Sequence, residues 1–252
     1  MANFWKRFSR NRQAVLGLII LFCVIFLAAI ANIIYPSDPF LYSKFPLSSP
    51  GENGFLLGSD SIGRDVAAGI AHGAKTSLLI GLIATIAAVF IGVIFGAFAG
   101  YYGGIVDDIL MRVTEIFQTI PSFIFAILLV AIMKPSIVSI VIAIAVVSWP
   151  GVARLVRGEF LALKNREFVQ ACHTLGMSDF RIMLREILPN CLSPIIVVGS
   201  LMVATAILIE SGLAFLGLAA PAPAPPPAAA DADAQYRPHA AASKGHRQAC
   251  LR

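Results

Sequence analysis

Charged side chains are scarce in this chain. Asp, Glu, Lys and Arg make up 13% of its 252 residues, whereas roughly 25% is usual in soluble globular domains. Hydrophobic residues make up 58%, and the mean hydropathy is +0.83. Because a water-soluble globule needs a polar shell that this composition cannot provide, the sequence indicates a membrane protein.

Cysteine and histidine are also few, and their spacing points to no reactive site. No two cysteines have the C-x-x-C spacing of a zinc or redox site, and no disulfide framework is indicated. No histidine has a metal-ligand partner at i+4. Glu210 is the sole ionisable residue deep in an apolar run, so the pattern argues against an enzyme or a metal site. The residues concerned are Cys23, Cys172, Cys191, Cys250, His72, His173, His239 and His246.

The sequence contains no G-x-x-x-x-G-K-[ST] phosphate-binding loop. Gly58 and Gly63 have the glycine spacing, but Arg64 and Asp65 stand where the lysine and the hydroxyl residue would be. A turn that leads into a helix is the preferred interpretation, with Asp60 and Asp65 as capping or pairing groups. The segment therefore predicts no ATPase site.

Five uncharged apolar runs are long enough to cross about 30 Å of hydrocarbon as helices. Each is apolar on all sides, as expected of helices that face lipid. The first run is longer than the apolar region of a signal peptide and lacks an A-x-A cleavage site, so it is predicted to be a permanent anchor. The runs are 13–37, 76–106, 116–133, 135–153 and 187–209, the last continuing to residue 218.

Basic residues predict the orientation of these runs. Residues 1–12 carry four basic residues and no acid, which places the N-terminus in the cytoplasm under the positive-inside rule. Alternation then puts residues 38–75 outside and returns residues 154–186 to the cytoplasm. Residues 154–186 carry six basic residues, so the counts of basic residues in both segments indicate the same orientation. The basic residues are Lys6, Arg7, Arg10, Arg12, Arg154, Arg157, Lys164, Arg166, Arg181 and Arg185.

Two short amphipathic helices are predicted between the fourth and fifth runs. Gly176 suits the left-handed position that ends the first helix, Ser178 the N-cap of the second, and Pro189 is expected to limit its continuation. Each helix has one apolar face, which either docks in the groove of a partner or lies on lipid; the pattern leaves both open. The faces are Phe168, Ala171, Cys172 and Leu175, and then Phe180, Met183, Leu184 and Ile187.

This loop resembles the EAA loop of ABC importer permeases. The family pattern has an acidic residue, two alanines, a glycine and a closing Leu-Pro, and Cys172 takes the place of the second alanine here. The resemblance implies that residues 155–190 form a coupling loop that contacts an ATPase. The matching residues are Glu167, Ala171, Cys172, Gly176, Leu188 and Pro189.

Further segments resemble the dipeptide, oligopeptide and nickel type of these binding-protein-dependent permeases. Each motif is weak alone, but together they occur in order across residues 1 to about 218 and are jointly specific. They are 58–65, 100–104 with Asp107, 120–121, 148–151 with Arg154 and Arg157, and 215–218.

The resemblance implies an all-α polytopic protein with about five transmembrane helices and a cytoplasmic two-helix coupling loop. Such a chain is a permease subunit of a bacterial ABC importer in the cytoplasmic (inner) membrane, moving peptides or a related small solute. Its partners are a second permease, two ABC ATPase subunits, an extracytoplasmic solute-binding protein and membrane lipid, without nucleic acid. It binds no cofactor, because the partner ATPases use the ATP.

Two further features concern packing and the pathway. Gly92, Gly96 and Gly100 form a G-x-x-x-G-x-x-x-G stripe, which predicts close packing of the second run against a helix of this chain or of another.

An unpaired Glu210 would cost roughly 2.5 to 3.5 kcal/mol at mid-membrane, so it is expected to face protein or a wet cavity. It either lines the transport pathway or reaches water near the outer end of its helix.

The composition changes at residue 219. Residues 219–235 contain nine alanines and five prolines, a composition that forms neither a core nor a span, so residues 219–252 are predicted to be a disordered tail. The family normally has a sixth span after the segment at 215–218. A truncated or frameshifted, inactive permease is therefore the alternative expectation, and a membrane scaffold without transport is another.

Overall fold

The computed structural model describes residues 8–35, 45–52 and 54–218. The predicted tail at 219–252 and the first part of the N-terminal segment lie outside the described residues. Within the described ranges every extended regular element is a helix, residues 45–52 and 54–65 form turns and irregular backbone with one isolated bridge between Ser59 and Asp65, and the all-α fold class is confirmed. The helices are α1 (Arg12–Ile34), α2 (Val66–Tyr102), α3 (Gly104–Gln118), α4 (Ser122–Met133), α5 (Ile137–Leu163), α6 (Glu167–Thr174) and α7 (Asp179–Phe215).

The described residues fall into two compact units, one up to His72 and one from Gly73 onward. In the first unit, the Asn11 side chain caps α1 by accepting from two backbone N–H groups, as an N-cap should. Of the residues in α1, Ala28 and Ala31 are the buried ones. Most of the other apolar side chains of α1 are exposed, as expected for a helix surrounded by lipid.

The segment between Gly58 and Asp65 is a turn that leads into α2, as the sequence predicted. The Asp60 carboxylate accepts from the N–H groups of Ile62 and Arg64. The Asp65 carboxylate accepts from two N–H groups at the start of α2 and so caps that helix. Gly58 has φ +84°, and a Cβ there would overlap the Ser48 carbonyl oxygen.

Among the residues that the structure describes, four helices are long and apolar enough to cross a membrane, and the count reaches five if the bent pair α3 and α4 is one span. The third predicted span, 116–133, is not continuous. The chain bends by 81° between α3 and α4, because Pro121 has no N–H to continue the helix, disfavours helical backbone before it, and itself has a non-helical ψ of 128°. The 12 residues of α4 rise only about 18 Å, which is too short to cross alone.

Several helices are longer than the apolar runs that predicted them. Helix α2 begins at Val66 rather than near residue 76, and α5 continues to Leu163 rather than stopping near residue 153. Residues 107–115, which separate the second and third apolar runs, form the greater part of α3. The reason is that charged side chains end an apolar run without ending the backbone hydrogen bonds of a helix.

The second short helix of the predicted hairpin is not separate. Asp179 begins one helix that runs without interruption to Phe215, so the expectation that Pro189 limits it was wrong. A π turn at Met183–Ile187 precedes the proline, and the Leu188 N–H donates to the Met183 carbonyl five residues earlier. The wider turn accommodates the proline ring, and the Asn190 side chain donates to the Glu186 carbonyl at 2.6 Å.

Buried apolar side chains hold the long helices of the second unit together. One cluster joins α2, α4, α5 and α7. In a second cluster, Trp149 of α5 packs between Phe95 of α2 and Phe117 of α3, with ring centroids 4.7 and 5.3 Å away. The first cluster consists of Ile80, Ala84, Ala126, Val130, Ile140, Ala143, Ile144, Ala206 and Leu213.

Candidate coupling surface and its supports

The coupling loop has a defined backbone at the end of α6. Gly176 has φ +75°, as predicted for the residue that ends this helix. The N–H of Met177 donates to the Cys172 carbonyl at 3.1 Å, and that of Gly176 to His173 at 3.0 Å. These two bonds form a Schellman motif, which fixes the reversal between α6 and α7. Ser178 occupies the N-cap position of α7, but its side chain makes no capping hydrogen bond.

The underside of the loop is packed against three long helices. Val169 of α6 and Ile182 and Met183 of α7 are buried in one cluster with Phe160 of α5 and Ala97 of α2. Cys172 is half-buried against the same cluster. The loop is therefore mechanically connected to α2, α5 and α7 through close apolar contacts.

The outer side of the loop exposes large apolar side chains. The predicted apolar faces are split: Met183 and Ile187 are buried in the core, whereas five other members, four of them large, stay exposed. Glu167, Ala171 and Pro189 are exposed, and Leu188 is half-buried. The exposed apolar members are Phe168 (38% exposed), Leu175 (80%), Phe180 (59%) and Leu184 (46%).

Polar contacts tie the loop to the end of α2. The Tyr101 hydroxyl donates to the Asp179 carboxylate at 2.8 Å. His173 of α6 lies 4.0 Å from the same carboxylate. The Lys164 ammonium group, just beyond α5, donates to the Tyr101 carbonyl at 3.4 Å. Sequence reasoning missed this group, although Tyr101 lies within a family motif.

A buried ion pair joins α3 to α5 near the loop. Arg157 donates from Nε to one oxygen of Asp107 and from Nη2 to the other, the latter at 2.6 Å. Asp107 is buried and Arg157 partly exposed. The sequence showed both residues in family motifs without indicating that they pair. A cavity of about 830 Å³ lies beside the pair and is lined by Asp108, Ile109, Met111, Arg112, Val113, Thr114, Glu115, Ile116, Arg154 and Arg157.

The glycine stripe of α2 faces α5 of the same chain. A Cβ at Gly92 would lie 2.9 Å from the Trp149 carbonyl, and one at Gly96 would overlap the carbonyl of Ala153. A Cβ at Gly100 would lie 2.6 Å from Cβ of Phe160. The two backbones approach each other so closely that only glycine fits at these positions.

Glu210 lies inside the helix bundle and has a partner. Glu210 is 8% exposed, and its carboxylate accepts a hydrogen bond of 2.8 Å from the Ser77 hydroxyl of α2. Nearby, Gly81 of α2 contacts Ile207 of α7, so the two helices are close along this stretch. The role of Glu210 in lining a pathway stays a prediction.

Comparisons with known proteins agree with these features. Residues 92–226 match the family described as binding-protein-dependent transport system inner membrane component. Residues 1–50 match the N-terminal transmembrane domain of oligopeptide transport permease C. The first match covers more than half of the chain and includes the glycine stripe, the ion pair and the loop.

Individual relatives are similar over most of the chain. The dipeptide transport system permease protein DppC of Bacillus subtilis is 39% identical over 214 residues, covering 85% of this chain and 67% of the relative. DppC of Haemophilus influenzae is 37% identical over 226 residues, covering 87% and 77%. The oligopeptide transport system permease protein OppC of Haemophilus influenzae is 41% identical over 218 residues, covering 84% and 69%.

The fold also resembles a solved structure. A chain of the MetNI methionine ABC transporter, in inward-facing conformations, superposes with a TM-score of 0.53 at 16% identity. The match covers 59% of this chain and 74% of that chain. At this identity the likeness concerns the fold alone. Together, the family match, the relatives and the apolar helices show that this multi-pass inner membrane protein belongs to the family of binding-protein-dependent transport system inner membrane components, the ABC importer permeases.

Proposed function

We propose that this chain is a permease subunit of a peptide importer and is coupled to separate ATPase subunits through residues 155–190. The exposed apolar side chains of the loop carry the proposal. Leu175 and Phe180 lie at a turn whose other side is packed against the long helices. A large apolar surface held in this way requires a partner or lipid to cover it.

The charges around the turn favour a protein partner over lipid. Residues 166–186 contain three basic and three acidic side chains, so the segment has no net charge. A helix that lies on anionic lipid is instead rich in Lys and Arg on its polar face. The basic residues are Arg166, Arg181 and Arg185, and the acidic residues are Glu167, Asp179 and Glu186.

The mechanism follows from the packing beneath the loop. Nucleotide-driven closure of the docked ATPases would displace α6 and the first turn of α7. Because α7 is one helix from Asp179 to Phe215, the displacement passes directly into a membrane-spanning helix. The apolar cluster passes it also to α2 and α5, and the pathway switches between outward-open and inward-open states.

The substrate class and the partners rest on relatives. The similar proteins are named for transport of dipeptides and oligopeptides, so we assign peptides or a related small solute to this chain. A second permease completes the pathway, and an extracytoplasmic binding protein delivers the substrate. ATP is hydrolysed by the partner ATPases rather than by this chain.

One matched pair of variants tests the coupling. Leu175→Asp should reduce recovery of the ATPase subunits with the purified permease by about tenfold, because burying a leucine at an interface is worth about 1.5 to 3 kcal/mol. Thr174→Asp places the same charge on the adjacent exposed residue and should leave most of the ATPase bound. Equal recovery from both variants and the unchanged chain would mean that another partner or lipid covers the surface.

A further inference from the structure

We propose that Tyr101 is a positioning residue that links the end of α2 to the coupling loop and is needed for efficient conversion of ATP hydrolysis into transport. This inference rests on the proposed function. Its structural basis is the hydrogen bond from the Tyr101 hydroxyl to the Asp179 carboxylate at 2.8 Å. Asp179 is the first residue of α7 and lies beside the exposed apolar turn.

Connectivity explains why α2 needs this link. The loop is covalently continuous with α5 through residues 164–166 and with α7 from Asp179 onward. Helix α2 has no such connection, because α3, α4 and α5 separate it from the loop in sequence. A displacement of the loop therefore reaches α2 only through non-covalent contacts.

Tyr101 contacts both neighbours of α2 with different groups. Its hydroxyl binds Asp179 of α7, and its carbonyl accepts from Lys164 at the end of α5. Its ring packs against the apolar cluster beneath the loop. Gly103 follows with φ +66° and starts the reversal into α3. The cytoplasmic ends of three long helices thus meet at one residue.

Tyr102 provides an internal control. It is also a tyrosine at the end of α2, but it is exposed, and the hydroxyl that donates a hydrogen bond to Asp179 belongs to Tyr101. The Tyr102 ring stacks on Phe98 of the same helix, with centroids 6.0 Å apart. Tyr102→Phe keeps this ring, which also lies edge-on to the Tyr101 ring with centroids 5.3 Å apart, and removes a hydroxyl that does not bond Asp179.

The experiment measures dialanine imported per ATP hydrolysed in proteoliposomes. These contain the full chain with its companion permease, ATPases and binding protein. Tyr101→Phe should lower this ratio about fivefold, the effect of losing one half-exposed hydrogen bond, while the subunits still co-purify. Tyr102→Phe should leave the ratio unchanged. Asp179→Asn, whose amide oxygen still accepts from Tyr101, should give an intermediate ratio, whereas Asp179→Ala should match Tyr101→Phe.

Three results would overturn the inference. These are a normal ratio for Tyr101→Phe, an equal loss for Tyr102→Phe, and loss of subunit assembly in Tyr101→Phe, which would indicate a merely structural role. Failure of the proposed function has a different signature. In that case the unchanged chain would assemble with no ATPase, or would import no dialanine, before any variant is compared.

Discussion

Asp107 and Asp108 are adjacent in α3, yet their environments are opposite. Asp107 is buried and accepts two hydrogen bonds from Arg157, whereas Asp108 is exposed at the cavity. A buried carboxylate needs a cationic, hydrogen-bonded partner to offset the loss of water. The ion pair therefore fixes the orientation of α3 against α5 close to the coupling loop.

Asp107→Asn should destabilise the purified permease by about 2 kcal/mol, because one partner of a buried, doubly hydrogen-bonded pair loses its charge. Asp108→Asn serves as the control and should change the free energy of unfolding by less than about 0.5 kcal/mol. Denaturant titration in detergent measures both values. If the two variants had similar free energies of unfolding, the ion pair between Asp107 and Arg157 would contribute nothing to stability.

The contrast between Gly176 and Asp107 shows what the sequence reveals at the scale of residues. The left-handed conformation of Gly176 is a local property, since it depends on the helix that ends there, and it was predicted. The partner of Asp107 lies 50 residues away. Nothing local identifies such a partner, because the pairing depends on how α3 and α5 meet. The Tyr101 to Asp179 bond was missed for the same reason.

The close contact between α2 and α5 was partly predictable from the glycine stripe. The stripe predicted close packing but left open whether the neighbour belongs to this chain. Gly92, Gly96 and Gly100 all face α5. Because lipid removes the hydrophobic drive between helices, close van der Waals contact over this stripe contributes a large part of their association.

Gly96→Ala should destabilise the bundle by about 1 to 3 kcal/mol, since the new Cβ overlaps the Ala153 carbonyl and the backbones must separate. Gly73→Ala is the matched control on the same helix, where no atom lies within 4 Å of the new Cβ. It should leave stability unchanged or raise it by about 0.5 kcal/mol through helix propensity. The free energy of unfolding in detergent is measured for both variants, and equal changes would contradict the packing role of Gly96.

Prolines show the limit of prediction at the scale of elements. Pro121 separates α3 from α4 by a sharp bend, whereas Pro189 lies within a continuous helix. A π turn at Met183–Ile187 precedes Pro189, whereas Pro150 and Pro194 lie inside helices that α-helical turns precede. Wide turns of this kind have no clear sequence signature, so a pattern alone could not tell the two outcomes apart.

For the whole molecule, composition was enough to predict the class and most of the spans. Four of the apolar runs overlap α1, α2, α5 and α7, the four helices in the described part of the chain that could each cross a membrane. Whether the third run is part of a membrane span depends on whether the bent pair of α3 and α4 crosses as one unit. Periodicity and hydropathy do not decide this, because the break arises from backbone geometry at Pro121 and from packing against α5.

The side of the membrane that the loop faces depends on that same pair. If α3 and α4 together cross once, residues 155–190 follow an even number of spans and lie on the side of the N-terminus. If they do not cross, the loop lies on the opposite side and cannot meet a cytoplasmic ATPase. The positive-inside count supports the first arrangement, and the proposed coupling requires it.

Cysteine labelling measures most directly which side of the membrane the coupling loop faces. Leu175→Cys and, as an external control, Ser61→Cys are treated with a membrane-impermeant maleimide before and after the inner membrane is opened with a denaturing detergent that also removes any docked partner, with the unchanged chain giving the background from its own cysteines. Both positions are exposed. The account predicts that Ser61→Cys is labelled in intact cells and Leu175→Cys only after opening. Labelling of Leu175→Cys in intact cells would contradict it.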